Sequence, residues 1–204
     1  RLGKYKLVGI KEIMFGKKDH ILHQKGVMSE EECKKFINFF EKNKDFQHKR
    51  VEGEDGKYVK DTEIWMKFSN EDVFAHILGN TLSLGTEKYR KEYPFIDAVE
   101  VWKVENRYKI QKYNPNEGYF ALHCENAGVP EFLKRILAWT IYLNDVKDDG
   151  YTEFPVQNRK IQPRCGDVVI FPAYFTHPHR GITSKTQTKY ILTGWYTYCD
   201  DGQS

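Results

Sequence analysis

A His-x-Glu pair is the strongest chemical signal in the sequence. His123 and Glu125 stand two residues apart in the strand-like stretch 119–125, and the two-residue period of a strand points both side chains to one face. The segment 175–179, Phe-Thr-His-Pro-His, offers a second imidazole just after an apolar run. Two imidazoles and one carboxylate can bind Fe(II) on one face and leave three coordination positions open. Because such a pair also occurs in strands by chance, it needs support from elsewhere in the chain.

Lys189 supplies that support. The stretch 189–195 is predicted to be a strand whose alternation puts Lys189, Thr193 and Trp195 on one face. A lysine on the inner face of an apolar strand is costly unless it meets an anion. A dicarboxylic cosubstrate would provide the anion, and the alternative is an edge-strand lysine that faces solvent. A zinc hydrolase would give Lys189 no role, and the helical HExxH pattern of many such enzymes is absent from the sequence.

Two helices are predicted ahead of these residues. Ser29 and Glu32 have the S-x-x-E spacing of a capping box, and the apolar residues that follow recur at helical intervals to about residue 43. A second helix is predicted to begin near Asn70, a candidate N-cap, and to run towards Tyr93. The intervening segment 44–61 is rich in charge and contains two glycines, so we expect an exposed loop there.

From residue 96 onward, short strand-like runs alternate with turn residues. The seven predicted strands are Ala98–Val104, Tyr108–Tyr113, Tyr119–Glu125, Ile136–Leu143, Thr152–Pro155, Val168–Phe171 and Tyr190–Tyr198. Seven short strands after two helices favour a mainly β fold with supporting α-helices, a sandwich or jelly roll.

Length and composition limit the number of domains and the classes of protein to which the chain could belong. A chain of 204 residues fits one domain, here a helical support region over about 1–95 and a β core over about 96–204. The net charge of +3 is too small to indicate nucleic-acid binding by itself. The four cysteines form no CxxC pair, and residues 1–10 lack the apolar core of a signal peptide. We therefore expect a soluble, cytoplasmic protein without membrane attachment.

The order of the motifs resembles the prolyl 4-hydroxylase-like branch of the Fe(II)/2-oxoglutarate-dependent dioxygenase superfamily. The resemblance covers about residues 108–198, and each motif is weak alone while their order is specific. In this sequence they are H-x-E at 123–125, Tyr-Leu-Asn at 142–144, G-x-T-x-F at 150–154, G-D-x-x-x-F at 166–171, a distal His, and Lys-Tyr at 189–190 before a strand containing Trp195. The resemblance implies a double-stranded β-helix (jelly roll) and a hydroxylase that turns 2-oxoglutarate into succinate and CO2, with ascorbate as a candidate reductant.

The resemblance also implies which residues hold the iron. They are His123, Glu125 and His177, although the family usually has Asp in place of Glu125. His177 is preferred because of its offset from the apolar strand before it, but it precedes Lys189 by twelve residues where the family has about nine or ten. His179 precedes Lys189 by ten residues and remains the alternative.

For the cosubstrate, the resemblance implies that Lys189 pairs with the distal carboxylate of 2-oxoglutarate. Tyr113, Tyr142 and Thr193 match supporting positions beside it. Both tyrosines could equally be strand aromatics that fill the barrel.

The substrate is less closely defined than the reaction. The resemblance favours a prolyl residue in a peptide or protein, over which the charged segment 44–61 could close. The alternatives are a free amino acid, a small metabolite or a nucleic acid. A jelly-roll binding module without catalysis is a further alternative.

Overall fold

The computed structural model describes residues 18–69, 72–98 and 100–199. It contains two α-helices, α1 (Glu30–Lys42) and α2 (Val73–Glu92). The eleven strands are β1 (Leu22–Gln24), β2 (His48–Glu52), β3 (Val59–Lys67), β4 (Trp102–Tyr113), β5 (Gly118–Tyr119), β6 (Arg135–Tyr142), β7 (Thr152–Phe154), β8 (Arg159–Ile161), β9 (Val168–Pro172), β10 (Arg180–Gly181) and β11 (Lys189–Tyr198).

Two antiparallel sheets build the barrel. The major sheet has the order β1-β9-β6-β11-β4-β3-β2, with β5 also paired to β3, and the minor sheet has the order β10-β7-β8. Phe154 and Ile161 of the minor sheet pack against Ala138, Val169 and Trp195 of the major sheet. The fold is therefore the predicted mainly β jelly roll with a helical support.

The helices cover the other face of the major sheet. Phe36 and Phe40 of α1 and Leu78 and Leu82 of α2 are buried in one cluster with residues of β4, β6, β9 and β11. The capping box at Ser29 is confirmed, because its side chain accepts from the Glu32 backbone N–H and its own N–H donates to the Glu32 carboxylate. No helix in the described ranges has both the length and the apolarity to cross a membrane.

The second helix begins at a different residue from the predicted one. Asp72 is its N-cap and accepts a hydrogen bond of 2.9 Å from the backbone N–H of Phe74. Asn70, the predicted cap, lies outside the described residues. The predicted end near Tyr93 is confirmed.

The prediction of a loop over residues 44–61 is wrong. The segment contains β2 and the first residues of β3, which form a hairpin in which Arg50 lies opposite Asp61. Two of the charges that suggested a loop form a cross-strand ion pair, since Arg50 binds both carboxylate oxygens of Asp61 at 3.1 and 2.6 Å.

The strands that were predicted from apolar runs are confirmed. The first two predicted strands are one strand, β4, and the strands near β6, β7, β9 and β11 are present. The strand Tyr119–Glu125 is wrong beyond its first residue, because only an isolated bridge pairs His123 with His179. Strands β1, β2, β3, β8 and β10 were not predicted.

Candidate active site

Three of the residues singled out by type converge at one point. The ligand atoms of His123, Glu125 and His179 all lie within 4.8 Å of one another. Oε1 of Glu125 is 3.6 Å from Nε2 of His123 and 3.3 Å from Nε2 of His179. The side chains are only 9–20% exposed, so the cluster is shielded from bulk water.

A backbone bridge brings the two imidazoles together. The N–H of His123 donates to the carbonyl of His179 at 3.0 Å, and the N–H of His179 donates to the carbonyl of His123 at 2.9 Å. Residues that exchange both hydrogen bonds in an antiparallel pair direct their side chains to the same face. The ring centroids are 4.4 Å apart as a result.

Backbone carbonyls fix the tautomer of both rings. Nδ1 of His123 lies 2.9 Å from the carbonyl of Ala121, and Nδ1 of His179 lies 3.1 Å from the carbonyl of His177. A carbonyl only accepts, so each Nδ1 carries the proton and each Nε2 lone pair faces Glu125. Such anchoring is typical of histidines that bind a metal.

Electrostatics favours the protonation states that a metal requires. Burial opposes ionisation of Glu125, but the imidazoles of His123 and His179, when they are protonated at Nε2 as well as at Nδ1, donate to its carboxylate and hold the pKa of Glu125 well below its ordinary value. Burial lowers the pKa of His179, although Glu125 acts in the opposite direction. An ionised carboxylate and a neutral imidazole are the ligand forms of these groups.

His177 does not join the cluster, and the preference for it over His179 is corrected. Its Nε2 donates to the carbonyl of Asp19 at 2.8 Å, and its Nδ1 lies 2.9 Å from Oγ1 of Thr176. Both ring nitrogens are thus engaged away from Glu125. The turn in which the His177 N–H donates to the carbonyl of Tyr174 aims the ring in that direction.

The cluster lies in the wall of a cavity of about 400 Å³. Side chains of the inner face of β11 and β4 line it in register, with Lys189 opposite Tyr113 and Thr193 opposite Lys109. The predicted alternation of β11 is confirmed, because Leu192 and Tyr196 point instead into the helix-covered core.

Lys189 differs from the other cations of the cavity. Arg50, Lys109 and Arg135 each pair with a carboxylate, respectively that of Asp61, Glu63 and Glu105. Lys189 is 5% exposed and its ammonium donates to the carbonyl of Gly150 at 2.9 Å, and no carboxylate in the described part of the chain forms an ion pair with it. Burial without a counter-charge lowers the pKa of Lys189 to about 8.

Two of the three supporting residues line the cavity, and the third lies behind a residue that lines it. Tyr113 lines the cavity, with its ring 4.8 Å from the Lys189 ammonium. Oγ1 of Thr193 is buried at the cavity wall and has no hydrogen-bond partner among the residues that the structure describes. Tyr142 lies behind Thr152, whose hydroxyl is 2.7 Å from its own and which itself lines the cavity.

Two features of the site were missed by sequence reasoning. Trp195, placed by its sequence position on the inner face of the strand but given no role there, donates its indole N–H to Oε2 of Glu125 at 2.7 Å. Asp61 and Glu63 form a buried polar wall, 1% and 5% exposed. The only signal for this wall was their spacing of two residues, which in a strand places both carboxylates on one face.

Comparisons with known proteins identify similar sequences and similar folds. Residues 108–197 match the family model described as the 2OG-Fe(II) oxygenase superfamily. A putative prolyl 4-hydroxylase of Acanthamoeba polyphaga mimivirus is 32% identical over 104 residues, and the match covers 43% of this chain and 43% of that protein. The chain thus matches less than half the length of this curated relative.

Solved structures share the fold at low sequence identity. The viral collagen prolyl hydroxylase of Paramecium Bursaria Chlorella virus-1 has a TM-score of 0.66 at 18% identity, covering 88% of this chain and 97% of that chain. A Pseudomonas putida prolyl-4-hydroxylase has a TM-score of 0.66 at 14% identity, covering 88% and 94%. A Trichoplax adhaerens prolyl hydroxylase, in complex with a peptide fragment of the hypoxia inducible factor oxygen degradation domain, has a TM-score of 0.65 at 15% identity, covering 89% and 84%. The jelly-roll prediction is confirmed.

Proposed function

We propose that this chain, which resembles the 2OG-Fe(II) oxygenases over residues 108–197, is an Fe(II)- and 2-oxoglutarate-dependent dioxygenase that hydroxylates its substrate and releases succinate and CO2. One observation carries the proposal: a two-histidine, one-carboxylate cluster shares a cavity with Lys189, whose buried ammonium has no carboxylate partner in the described ranges. A metal site alone would not require such a cation, and a simple binding pocket would not require the cluster.

The residues present fit an iron centre. His123, Glu125 and His179 would hold the metal, since their ligand atoms converge and both Nε2 lone pairs are free. The facial set leaves room for a bidentate cosubstrate and O2. The decarboxylation of 2-oxoglutarate and the insertion of oxygen into a C–H bond are chemistry that the iron supplies.

Lys189 would bind the far end of 2-oxoglutarate. An ammonium and a carboxylate in a low-dielectric cavity form a charge-assisted hydrogen bond, stronger than a neutral one. The hydroxyl of Thr193 lies on the same strand face and makes no hydrogen bond within the described part of the chain, so it can donate to the same carboxylate. Tyr113 closes the space beside the ammonium. Lys189 and Thr193 would orient the cosubstrate, and the surrounding apolar groups would exclude water.

An anaerobic titration tests the cofactors. Wild-type protein with Fe(II) and 2-oxoglutarate should develop the weak visible charge-transfer band of the chelated cosubstrate, and Lys189→Ala should need far more 2-oxoglutarate to do so. Lys112→Ala is the matched control, since Lys112 lies next to Tyr113 on β4 but pairs with Glu41 on the outer face at 2.7 Å. A wild-type protein that binds zinc but gives no band would reject the dioxygenase and favour a hydrolase.

A prolyl residue in a peptide or protein is the proposed substrate. The relatives named above are prolyl hydroxylases, and one of them binds a peptide. Trp65, 47% exposed, and Phe132 line the cavity and offer apolar surface to a prolyl ring. Succinate release should rise above the uncoupled background with proline-containing peptides, with and without ascorbate. A rise only with free amino acids, small metabolites or oligonucleotides would reject the peptide.

A further inference from the structure

Glu125 presents its two carboxylate oxygens to different partners. Oε1 faces the Nε2 atoms of His123 and His179 at 3.6 and 3.3 Å. Oε2 accepts the indole N–H of Trp195 at 2.7 Å. One oxygen is therefore directed to the ligand cluster, and the other is held away from it by a hydrogen bond.

Trp195 is itself held rigidly. It is 3% exposed, its ring stacks on Trp65 with centroids 6.0 Å apart and an interplanar angle of 22°, and the Arg135 guanidinium lies 3.6 Å from its ring centroid. The pairing of β11 with β4 shifts register between Gly194 and Tyr196, on either side of this residue. Such irregularities re-aim a side chain, here so that the indole nitrogen reaches the carboxylate.

We propose, on the basis of the iron site proposed above, that Trp195 is a positioning residue that makes Glu125 a one-oxygen ligand. The glutamate side chain has one methylene more than aspartate, about 1.5 Å of extra reach, and this added freedom would let the carboxylate rotate or bind through both oxygens. A hydrogen bond to Oε2 from a fixed indole removes that freedom. Trp195 thus reduces the conformational entropy that the Glu125 side chain, longer than aspartate, would lose on binding a metal.

The physical reason is that a ligand held in its binding geometry loses less conformational freedom when the metal arrives. Removing an outer hydrogen-bond partner of a metal ligand typically weakens metal binding about 10- to 100-fold. The loss of metal affinity on substitution of Trp195 should require a glutamate at position 125. An aspartate there is too short to keep one carboxylate oxygen towards the histidines and the other within hydrogen-bond distance of the indole.

A double-mutant cycle with Mn(II) tests this dependence. Free Mn(II) is followed by its EPR signal, without 2-oxoglutarate, for Trp195→Phe in the wild-type and in the Glu125→Asp background. Trp195→Phe should weaken Mn(II) binding about 10- to 100-fold in the wild type and less than about threefold with Asp. Trp102→Phe is the control, because it removes an indole that is also buried, 8% exposed, but in the helix-covered cluster on the other face of the sheet.

The outcomes separate the two proposals. An equal loss in both backgrounds, or an equal loss in Trp102→Phe, would overturn the positioning role and indicate packing alone. A wild-type protein that binds no Mn(II) would overturn the metal site and, with it, this inference.

A measurement on unsubstituted Trp195 covers the case in which Trp195→Phe does not fold. The four tryptophan indole N–H signals are followed by NMR in wild type and Glu125→Asp with Zn(II). The Trp195 signal should lie downfield and exchange slowly in wild type only. Slow exchange in both proteins would contradict the proposal.

Discussion

Replacing Lys189 with methionine should stabilise the ligand-free protein and remove its response to 2-oxoglutarate. Burial lowers the pKa of this lysine from 10.5 to about 8. At about 1.4 kcal/mol per tenfold change in proton affinity, holding the charged ammonium in the cavity costs about 3 kcal/mol at pH 7. The hydrogen bond to Gly150 returns about 1 kcal/mol. Methionine has a similar shape and no charge, so Lys189→Met should raise the free energy of unfolding by about 2 kcal/mol.

The gain should vary with pH in a defined direction. Because the folded-state pKa lies below the ordinary value, the destabilisation by Lys189 is fully present below pH 8 and disappears as the pH rises from about 8 to 10.5. The gain in free energy of unfolding from Lys189→Met should therefore be largest near neutral pH, and above pH 10.5 the lost hydrogen bond to Gly150 should leave the variant about 1 kcal/mol less stable than wild type.

Urea unfolding with and without ligand measures both effects. Without ligand, Lys189→Met should unfold at higher urea, which corresponds to a Tm about 4–8 °C higher. With Mn(II) and 2-oxoglutarate at a hundred times its Kd, wild type should gain about 2.7 kcal/mol, and the variant should gain almost nothing from 2-oxoglutarate. A variant less stable than wild type at pH 7, or equally stabilised by 2-oxoglutarate, would refute the reasoning.

Three further outcomes are expected. His179→Ala should lose bound metal in elemental analysis while His177→Ala retains it, and the reverse would return His177 to the ligand set. Asp61→Asn removes the carboxylate that the Arg50 guanidinium binds at 2.6 Å and leaves it with contacts of 3.8 Å to Glu52 and Glu63, so it should cost about 1–3 kcal/mol in urea unfolding; an unchanged stability would mean that these two carboxylates and water compensate the charge. Gly166→Ala should lower the Tm, because Gly166 has φ of +81° and an added methyl would collide with a backbone carbonyl of the segment before α1; an unchanged Tm would contradict that account.

Local patterns in the sequence determined a large part of the fold and the inward face of β11. The Ser29 capping box depends on residues three apart, and a strand alternates its side chains whatever lies around it. For this reason the sequence alone places Lys189 and Thr193 on one inner face. The same period predicted that His123 and Glu125 would converge, although the stretch that carries them is mostly not a strand.

Only the tertiary structure decided which distal histidine meets them. His177 and His179 lie two residues apart and are equally buried, 7% exposed each, so neither composition nor periodicity separates them. The backbone bridge to His123, across more than fifty residues of chain, selects His179.

Local sequence patterns likewise could not predict the buried polar wall of Asp61 and Glu63. The charges of Asp61 and Arg50 suggested a loop, because charged side chains inside a sheet are unfavourable unless opposite charges neutralise them. Which charges lie opposite one another is defined only by the pairing of β2 with β3. The contact of Trp195 with Glu125 joins residues seventy positions apart. Sequence by itself determined which chemical groups face the cavity from β11; the folded chain decided their partners, because a hydrogen bond or an ion pair depends on distances that only the packed barrel sets.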